Sequence, residues 1–165
     1  ISAGFTPGSE PVAFVTPQAT IAPSICFEST VPHLIRRQVS QLRRRGHAPD
    51  ALVNVTNDGW FWGSSMLDLH LACGVFRAVE NRLPFLVAAN TGLSASIGQD
   101  GRIEQLGPRR ARTVLFSRPR SVPWTNWYAW WGDIPAGCCL LVCFALSIVG
   151  AVNWIRRRNL RKTPE

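Results

Sequence analysis

Lysine is almost absent from this chain of 165 residues, and charged residues as a whole are scarce. Lys162 is the only lysine, so arginine carries nearly all of the formal net charge of +8. Charged residues make up 17% of the chain, whereas soluble domains average about 25%. The arginines fall in short, separate clusters with no nucleic-acid-binding motif beside them, so we expect no nucleic-acid partner.

Paired cysteine spacings are missing as well. No CxxC or Cys/His spacing occurs among the cysteines, which are Cys26, Cys73, Cys138, Cys139 and Cys143. We therefore expect free thiols, no metal, no disulfide framework and no cofactor. The chain also opens without an initiator methionine, a signal peptide or an apolar anchor. We interpret it as the C-terminal piece of a longer protein.

The apolar pattern predicts alternating strands and helices, which is typical of an α/β domain. Predicted strands cover residues 20–27, 51–56 and 85–89, with a short strand at 14–15 and half of a hairpin over 94–101. A helix is predicted from about residue 31 to Gly46, with Ser29 or Thr30 as its N-cap and Pro32 in its first turn. A second helix is predicted over 64–81, and turns at 57–59 and 90–92.

The C-terminal stretch has the length and the flanks of a transmembrane helix. An aromatic segment (124–133) precedes an uncharged run (134–155) and a basic tail (156–165). A run of about 20 apolar residues spans the hydrocarbon core of a bilayer. Basic residues favour the cytoplasmic side, so we expect the tail there and residues 1–123, the α/β part, on the other side.

Cys26 lies at the end of the predicted strand 20–27, where open α/β sheets place their chemistry. A thiol there acts as a nucleophile when a base takes its proton and donors hold an oxyanion, and the Phe27 amide is one such donor. A packing role for Cys26 remains open, because free cysteines are often buried. Glu28 is better placed to orient a cation than to act as the base. No motif selects any of the three histidines, which are His33, His47 and His70.

Four motifs follow one another along the chain. They are Ser24–Glu28, Asn54–Phe61, His70 with Arg77–Glu80, and Asn90–Ala95. With the terminal span, this set resembles the C-terminal half of the apolipoprotein N-acyltransferases, a membrane-bound branch of the nitrilase superfamily. The resemblance implies part of a nitrilase α-β-β-α sandwich, followed by one transmembrane helix. It also implies a multi-pass protein of the bacterial inner membrane, with the sandwich in the periplasm.

The resemblance further implies a ping-pong acyl transfer that uses a Glu-Lys-Cys triad. Cys26 is the implied nucleophile and Glu28 a supporting glutamate, while Phe27, Asn57 and Trp60 are implied to contact substrate. The thiolate takes an acyl chain from a glycerophospholipid and passes it to the α-amine of a diacylglyceryl-cysteine lipoprotein. We expect a monomer whose partners are the membrane and these two lipid substrates.

Some residues depart from the family pattern. The triad glutamate and lysine have no counterpart in the chain, so we expect it to be inactive alone. Trp62 is inserted in the Trp-Phe-Gly motif, and Val87 replaces a residue that is basic in many relatives. Arg77 and Glu80, three residues apart, are predicted to form a surface ion pair.

Two alternative functions remain open. One is a nitrilase-like amidase or carbamoyl hydrolase, which the membrane span disfavours because that branch is soluble. The other is a non-catalytic, membrane-anchored remnant, which the missing lysine favours.

We expect the reading frame upstream of Ile1 to encode several membrane spans and a domain that carries the triad glutamate and lysine. Genomic sequencing of that region checks this expectation. A true start codon at Ile1 would contradict the acyltransferase as a working enzyme.

Overall fold

Six strands form one mixed sheet in the computed structural model, which describes residues 8–118 and 126–160. The strands are β1 (Phe14–Val15), β2 (Thr20–Ile25), β3 (Ala51–Asn57), β4 (Phe85–Asn90), β5 (Ala95–Ile97) and β6 (Ile103–Leu106). They lie side by side in chain order. The central strands β2, β3 and β4 are parallel, and the outer strands pair antiparallel. The predicted α/β class is confirmed.

Two helices connect the parallel strands: α1 (Pro32–Arg44) joins β2 to β3, and α2 (Met66–Asn81) joins β3 to β4. Neighbouring parallel strands need such crossover connections, because a tight turn can join only antiparallel strands. Each helix follows a short 3₁₀ turn. The first covers Cys26–Thr30 and is called the cysteine turn below, and the second covers Asp58–Phe61.

The core lies between the helices and one face of the sheet. Ala22, Leu52, Phe85 and Ile97 are successive register partners across four strands, and each is at most 1% exposed. Ile35, Val39 and Leu42 of α1 and Ala78 of α2 join the same cluster. Their helical spacing explains why one stripe of each helix is buried.

The opposite face of the sheet is apolar but open to solvent. Ile25 and Val55 are register partners there, and their exposed fractions are 68% and 55%. Alternation along β2 and β3 places Pro23 and Val53 on the same face. One sheet with one helical layer is half of an α-β-β-α sandwich, as predicted.

The structure corrects the start of the first helix. The predicted strand 20–27 ends at Ile25, because Cys26 has a φ of 49° and begins the cysteine turn. Val31 occupies the N-cap position of α1 and no side chain caps it. Ser29 and Thr30, the predicted caps, instead donate their hydroxyls to the carbonyls of Cys26 and Phe27.

The other predicted strands and helices of the α/β part hold, with ends that move by two residues or fewer, whereas the helix that contains the predicted span 134–155 continues to Leu160. Pro32 is the first residue of α1, as predicted. The predicted hairpin is completed by β6, which pairs with β5. Predictions that concern residues 1–7, Trp124 and the tail from Arg161 onward lie outside the described residues.

The chain divides into two compact units, Ile1–Ala129 and Trp130–Glu165. In the first, Asn126 donates to the carbonyls of Val79 and Glu80, each at 3.0 Å. The short helix α3 (Trp127–Trp131) leads to α4 (Ile134–Leu160). Residues Ile134–Arg158 have a mean hydropathy of 2.3 over their most apolar window, so this helix is long and apolar enough to cross a membrane.

The two neighbours Leu34 and Ile35 test the assigned core. Ile35 is 1% exposed, whereas Leu34 is 41% exposed. We expect Ile35→Ala to destabilise the protein by about 2–5 kcal/mol, since it removes buried methyl groups and leaves a cavity. Leu34→Ala is the matched control and costs much less. Thermal unfolding of the full-length protein in detergent micelles measures both, and equal losses would contradict the assigned core.

Candidate active site

Cys26 occupies a strained position directly after β2. Its φ of 49° lies in the left-handed region, which is unfavourable for a residue other than glycine. Such strain persists only where the surrounding structure holds the backbone, and it clusters at functional sites. The Cys26 side chain is half-buried and its thiol is free. A sharp turn that presents a free thiol at a strand end is a suitable setting for a nucleophile.

The carbonyl oxygen of Cys26 is the centre of the hydrogen bonds that hold this turn. Asn54 Nδ2 of β3 lies 3.1 Å from it, the Ser29 hydroxyl 3.1 Å, and His70 Nε2 of α2 3.2 Å. Asn54 is 1% exposed and also donates to the Ser24 hydroxyl at 3.0 Å. Three different segments therefore fix one peptide group beside the thiol.

Glu28 folds back over the cysteine turn. Its Oε2 accepts a hydrogen bond from the Ile25 amide at 2.7 Å, which closes the turn upon the end of β2. Glu28 and Arg37 also line one cavity of about 340 Å³. The expected partner cation of Glu28 stays a prediction, because no ion pair of Glu28 occurs among the described residues.

His70 belongs to the third motif of the family resemblance, but the sequence assigns no role to it. Its Nδ1 lies 3.0 Å from Asp58 Oδ1, and its Nε2 lies 3.0 Å from the Ser29 hydroxyl. The side chains of His70 and Asp58 are only 8% and 4% exposed. A signal was present in the helical period, because His70 shares a face with the buried Leu67, Gly74 and Arg77.

Arg77 is buried, so the predicted surface ion pair is wrong in its location. The Arg77 side chain is 5% exposed, and its Nη2 lies 2.7 Å from Glu80 Oε1. Its Nη1 donates to the Ser29 carbonyl at 3.3 Å. Arg77 therefore holds the far end of the cysteine turn, while His70 holds the near end.

The residues that were expected to contact substrate extend from the carboxyl ends of β2 and β3. Phe27 is 70% exposed and Trp60 is 80% exposed. Trp62, which the resemblance implies to be an insertion, has left-handed backbone with a φ of 47° and is 87% exposed. Asn57 is also exposed, and its Oδ1 accepts a hydrogen bond from the Gly59 amide at 3.2 Å.

The turn that contains Gly92 packs tightly against Asp58. A Cβ atom on Gly92 would lie 2.8 Å from the carboxylate carbon of Asp58 and 2.9 Å from Cβ of Ala89. Real Cβ atoms do not approach this closely, so only glycine fits. The Asn90-Thr91-Gly92 turn thereby supports the carboxylate that contacts His70.

A profile of the carbon-nitrogen hydrolase family matches residues 3–118, and the chain belongs to that family. Solved structures of similar fold include a CN-hydrolase superfamily protein from Xanthomonas campestris. That match has a TM-score of 0.54 at 19% identity and covers 67% of this chain and 44% of the other. A member of branch 10 of the nitrilase superfamily from Saccharomyces cerevisiae gives a TM-score of 0.50 at 15% identity, over 66% of this chain and 40% of that one.

Among curated proteins, the chain is similar to apolipoprotein N-acyltransferases. It is 38% identical to that of Geobacter metallireducens over 153 residues, which are 93% of this chain and 28% of the relative. It is 31% identical to that of Rhodopirellula baltica over 160 residues, 96% of this chain and 28% of the relative. The chain thus spans about 28% of the length of these relatives.

Replacement of Gly92 tests the packing against Asp58. We expect Gly92→Ala to destabilise the protein by about 1–3 kcal/mol, because the added methyl group overpacks the turn. Gly8→Ala is the control, since the nearest atom to its new Cβ is 3.9 Å away. Thermal unfolding in detergent micelles measures both variants. An unchanged midpoint for Gly92→Ala would contradict the tight packing.

Proposed function

We propose that this chain supplies the nucleophile of a lipoprotein N-acyltransferase, with Cys26 as the residue that carries the acyl group. The observation that carries the proposal is the strained, strongly held turn that presents a free thiol at the carboxyl end of β2. The similarity to curated apolipoprotein N-acyltransferases indicates the reaction class. The arrangement suits acyl transfer, which needs a nucleophile and a held oxyanion.

The proposed reaction has two half-reactions at one sulfur. The Cys26 thiolate attacks an ester carbonyl of a glycerophospholipid, a C–S bond forms, and the ester C–O bond breaks. The lysophospholipid leaves as an alcohol after it takes up a proton. The α-amine of a diacylglyceryl-cysteine lipoprotein then attacks the thioester, which yields an amide and restores the thiol.

The residues of the chain have separate roles in this scheme. The Phe27 amide follows the nucleophile and is one donor to the oxyanion. Glu28 supports the turn through the Ile25 amide. Phe27, Trp60 and Asn57 border the substrate, and the exposed rings of Phe27 and Trp60 suit acyl chains. We assign the proton acceptor and the catalytic lysine to a part of the enzyme that these 165 residues do not include.

The open face of the sheet is consistent with an enzyme whose remaining catalytic residues lie on another part of the protein. Ile25 and Val55 expose apolar surface that a second sheet covers in a two-sheet sandwich. We therefore propose that residues 1–123 are one part of a nitrilase-like domain. The second sheet, on this proposal, also brings the missing triad residues to Cys26.

The C-terminal unit supplies the membrane anchor in this proposal. Residues 134–155 span the bilayer, and the tryptophans of segment 124–133 lie at its interface. The tail 156–165 begins with Arg156, Arg157 and Arg158, which favour the cytoplasmic side. The α/β unit then lies in the periplasm, at the bacterial inner membrane, where both lipid substrates are anchored.

Mass spectrometry of the full-length protein, incubated with phosphatidylethanolamine of defined acyl chains, tests the proposed nucleophile. We expect one acyl chain on Cys26 of the wild type and none on Cys26→Ala. Cys73→Ala is the matched control, because Cys73 is also free and half-buried, and it keeps the adduct. A diacylglyceryl-cysteine peptide then removes the acyl chain as an amide.

Two results would contradict the proposal. One is the absence of an adduct on the wild type, and the other is an undiminished adduct on Cys26→Ala. Release of free fatty acid in place of the amide product would favour a hydrolase over an acyltransferase.

A further inference from the structure

We propose that His70, oriented by Asp58, is a positioning residue for Cys26. Its Nε2 N–H holds the Cys26 carbonyl and so maintains the left-handed backbone that presents the thiol. This inference rests on the proposed role of Cys26 as the nucleophile. It adds to the reaction a pair of residues that does not touch substrate.

The donors and acceptors around the imidazole define this role. The Asp58 carboxylate and the Cys26 carbonyl oxygen lie 3.0 Å and 3.2 Å from the two ring nitrogens. A carboxylate oxygen and a carbonyl oxygen can only accept, so in this proposal both ring nitrogens donate, Nδ1–H to Asp58 and Nε2–H to the Cys26 carbonyl. Asp58 takes the Nδ1 side of the ring, which turns Nε2 toward the cysteine turn.

The pair is itself held in place from behind. Asp58 Oδ1 also accepts the Thr56 hydroxyl at 2.7 Å, and the Gly92 turn packs against the same carboxylate. The Phe61 ring meets the imidazole edge to face, with centroids 6.2 Å apart. The Asp58 side chain therefore has few accessible conformations, and its contact with Nδ1 restricts the orientation of the His70 ring.

Burial separates this role from direct catalysis. The side chains of His70 and Asp58 are 8% and 4% exposed, so a lipid substrate does not reach them. His70 also contacts the Ser29 hydroxyl at 3.0 Å, and Ser29 in turn lies 3.1 Å from the Cys26 carbonyl. The imidazole thus contacts the Cys26 carbonyl and the Ser29 hydroxyl of the same turn and, on this proposal, acts on the thiol through the backbone.

The test measures the rate and the final extent of Cys26 acylation in the full-length protein, with phosphatidylethanolamine vesicles and mass spectrometry. We expect His70→Leu to lower the rate constant about 100-fold, because small misplacements of a reacting group have effects of this size. The KM for phospholipid stays unchanged, since His70 does not touch it. The final extent of acylation also stays unchanged, because the folded protein still reacts, only more slowly.

Two amide variants test whether Nε2, and not Nδ1, is the His70 nitrogen that holds the Cys26 carbonyl. A glutamine amide reaches the Nε2 position, so His70→Gln restores the rate constant to within about tenfold of the wild type. An asparagine amide reaches only the Nδ1 position, so His70→Asn stays as slow as His70→Leu. His47→Leu is the control, because His47 is exposed and lies three residues after the end of α1, and it reacts like the wild type.

The outcomes separate this inference from the proposed function. If the wild type forms no adduct on Cys26, the proposed function fails and the inference fails with it. If the wild type reacts and His70→Leu reacts as fast, the inference alone is overturned. It is also overturned if every His70 variant lowers the final extent and not the rate constant, because that pattern reports a misfolded fraction.

Discussion

The structure around the candidate nucleophile depends on one backbone carbonyl, that of Cys26. Its oxygen lies within hydrogen-bond distance of Asn54 on β3, of Ser29 in the cysteine turn and of His70 on α2. Left-handed backbone at a cysteine is unfavourable, so it persists only because hydrogen bonds from these groups stabilise it. Asn54 and Ser29 are each 1% exposed, and buried polar groups of this kind are costly to leave unpaired.

The parallel centre of the sheet makes this convergence possible. Because β2 and β3 run in the same direction, their carboxyl ends meet at one edge, and the two 3₁₀ turns begin there. The helix α2 then returns across the same edge and brings His70 and Arg77 to opposite ends of the cysteine turn. The site is therefore a product of topology, assembled from segments that no single motif contains.

Local patterns in the sequence predict much of this fold. Apolar runs and turn-forming residues predict the parallel strands and both helices, because hydrophobic periodicity and turn chemistry depend only on residues close together in the chain. These patterns do not predict the positive φ of Cys26, because neither Cys26 nor its neighbours Ile25 and Phe27 are residue types that favour left-handed backbone. They also do not reveal the contact of Ser29 with His70, which lie 41 residues apart. The spacing of Arg77 and Glu80 predicts their ion pair but not its burial, because burial depends on the packing of α2 against the cysteine turn, where Arg77 bonds to the Ser29 carbonyl.

The open apolar face of the sheet ends next to the Cys26 thiol, because Ile25 directly precedes Cys26. Whatever surface covers Ile25 and Val55 also forms part of the wall around that sulfur. On the proposal that Cys26 is the nucleophile, the solubility of this face and the reactivity of the thiol are coupled. A polar residue that makes Val55 easier to keep in water alters the surroundings of the thiol at the same time, so neither property can be tuned alone.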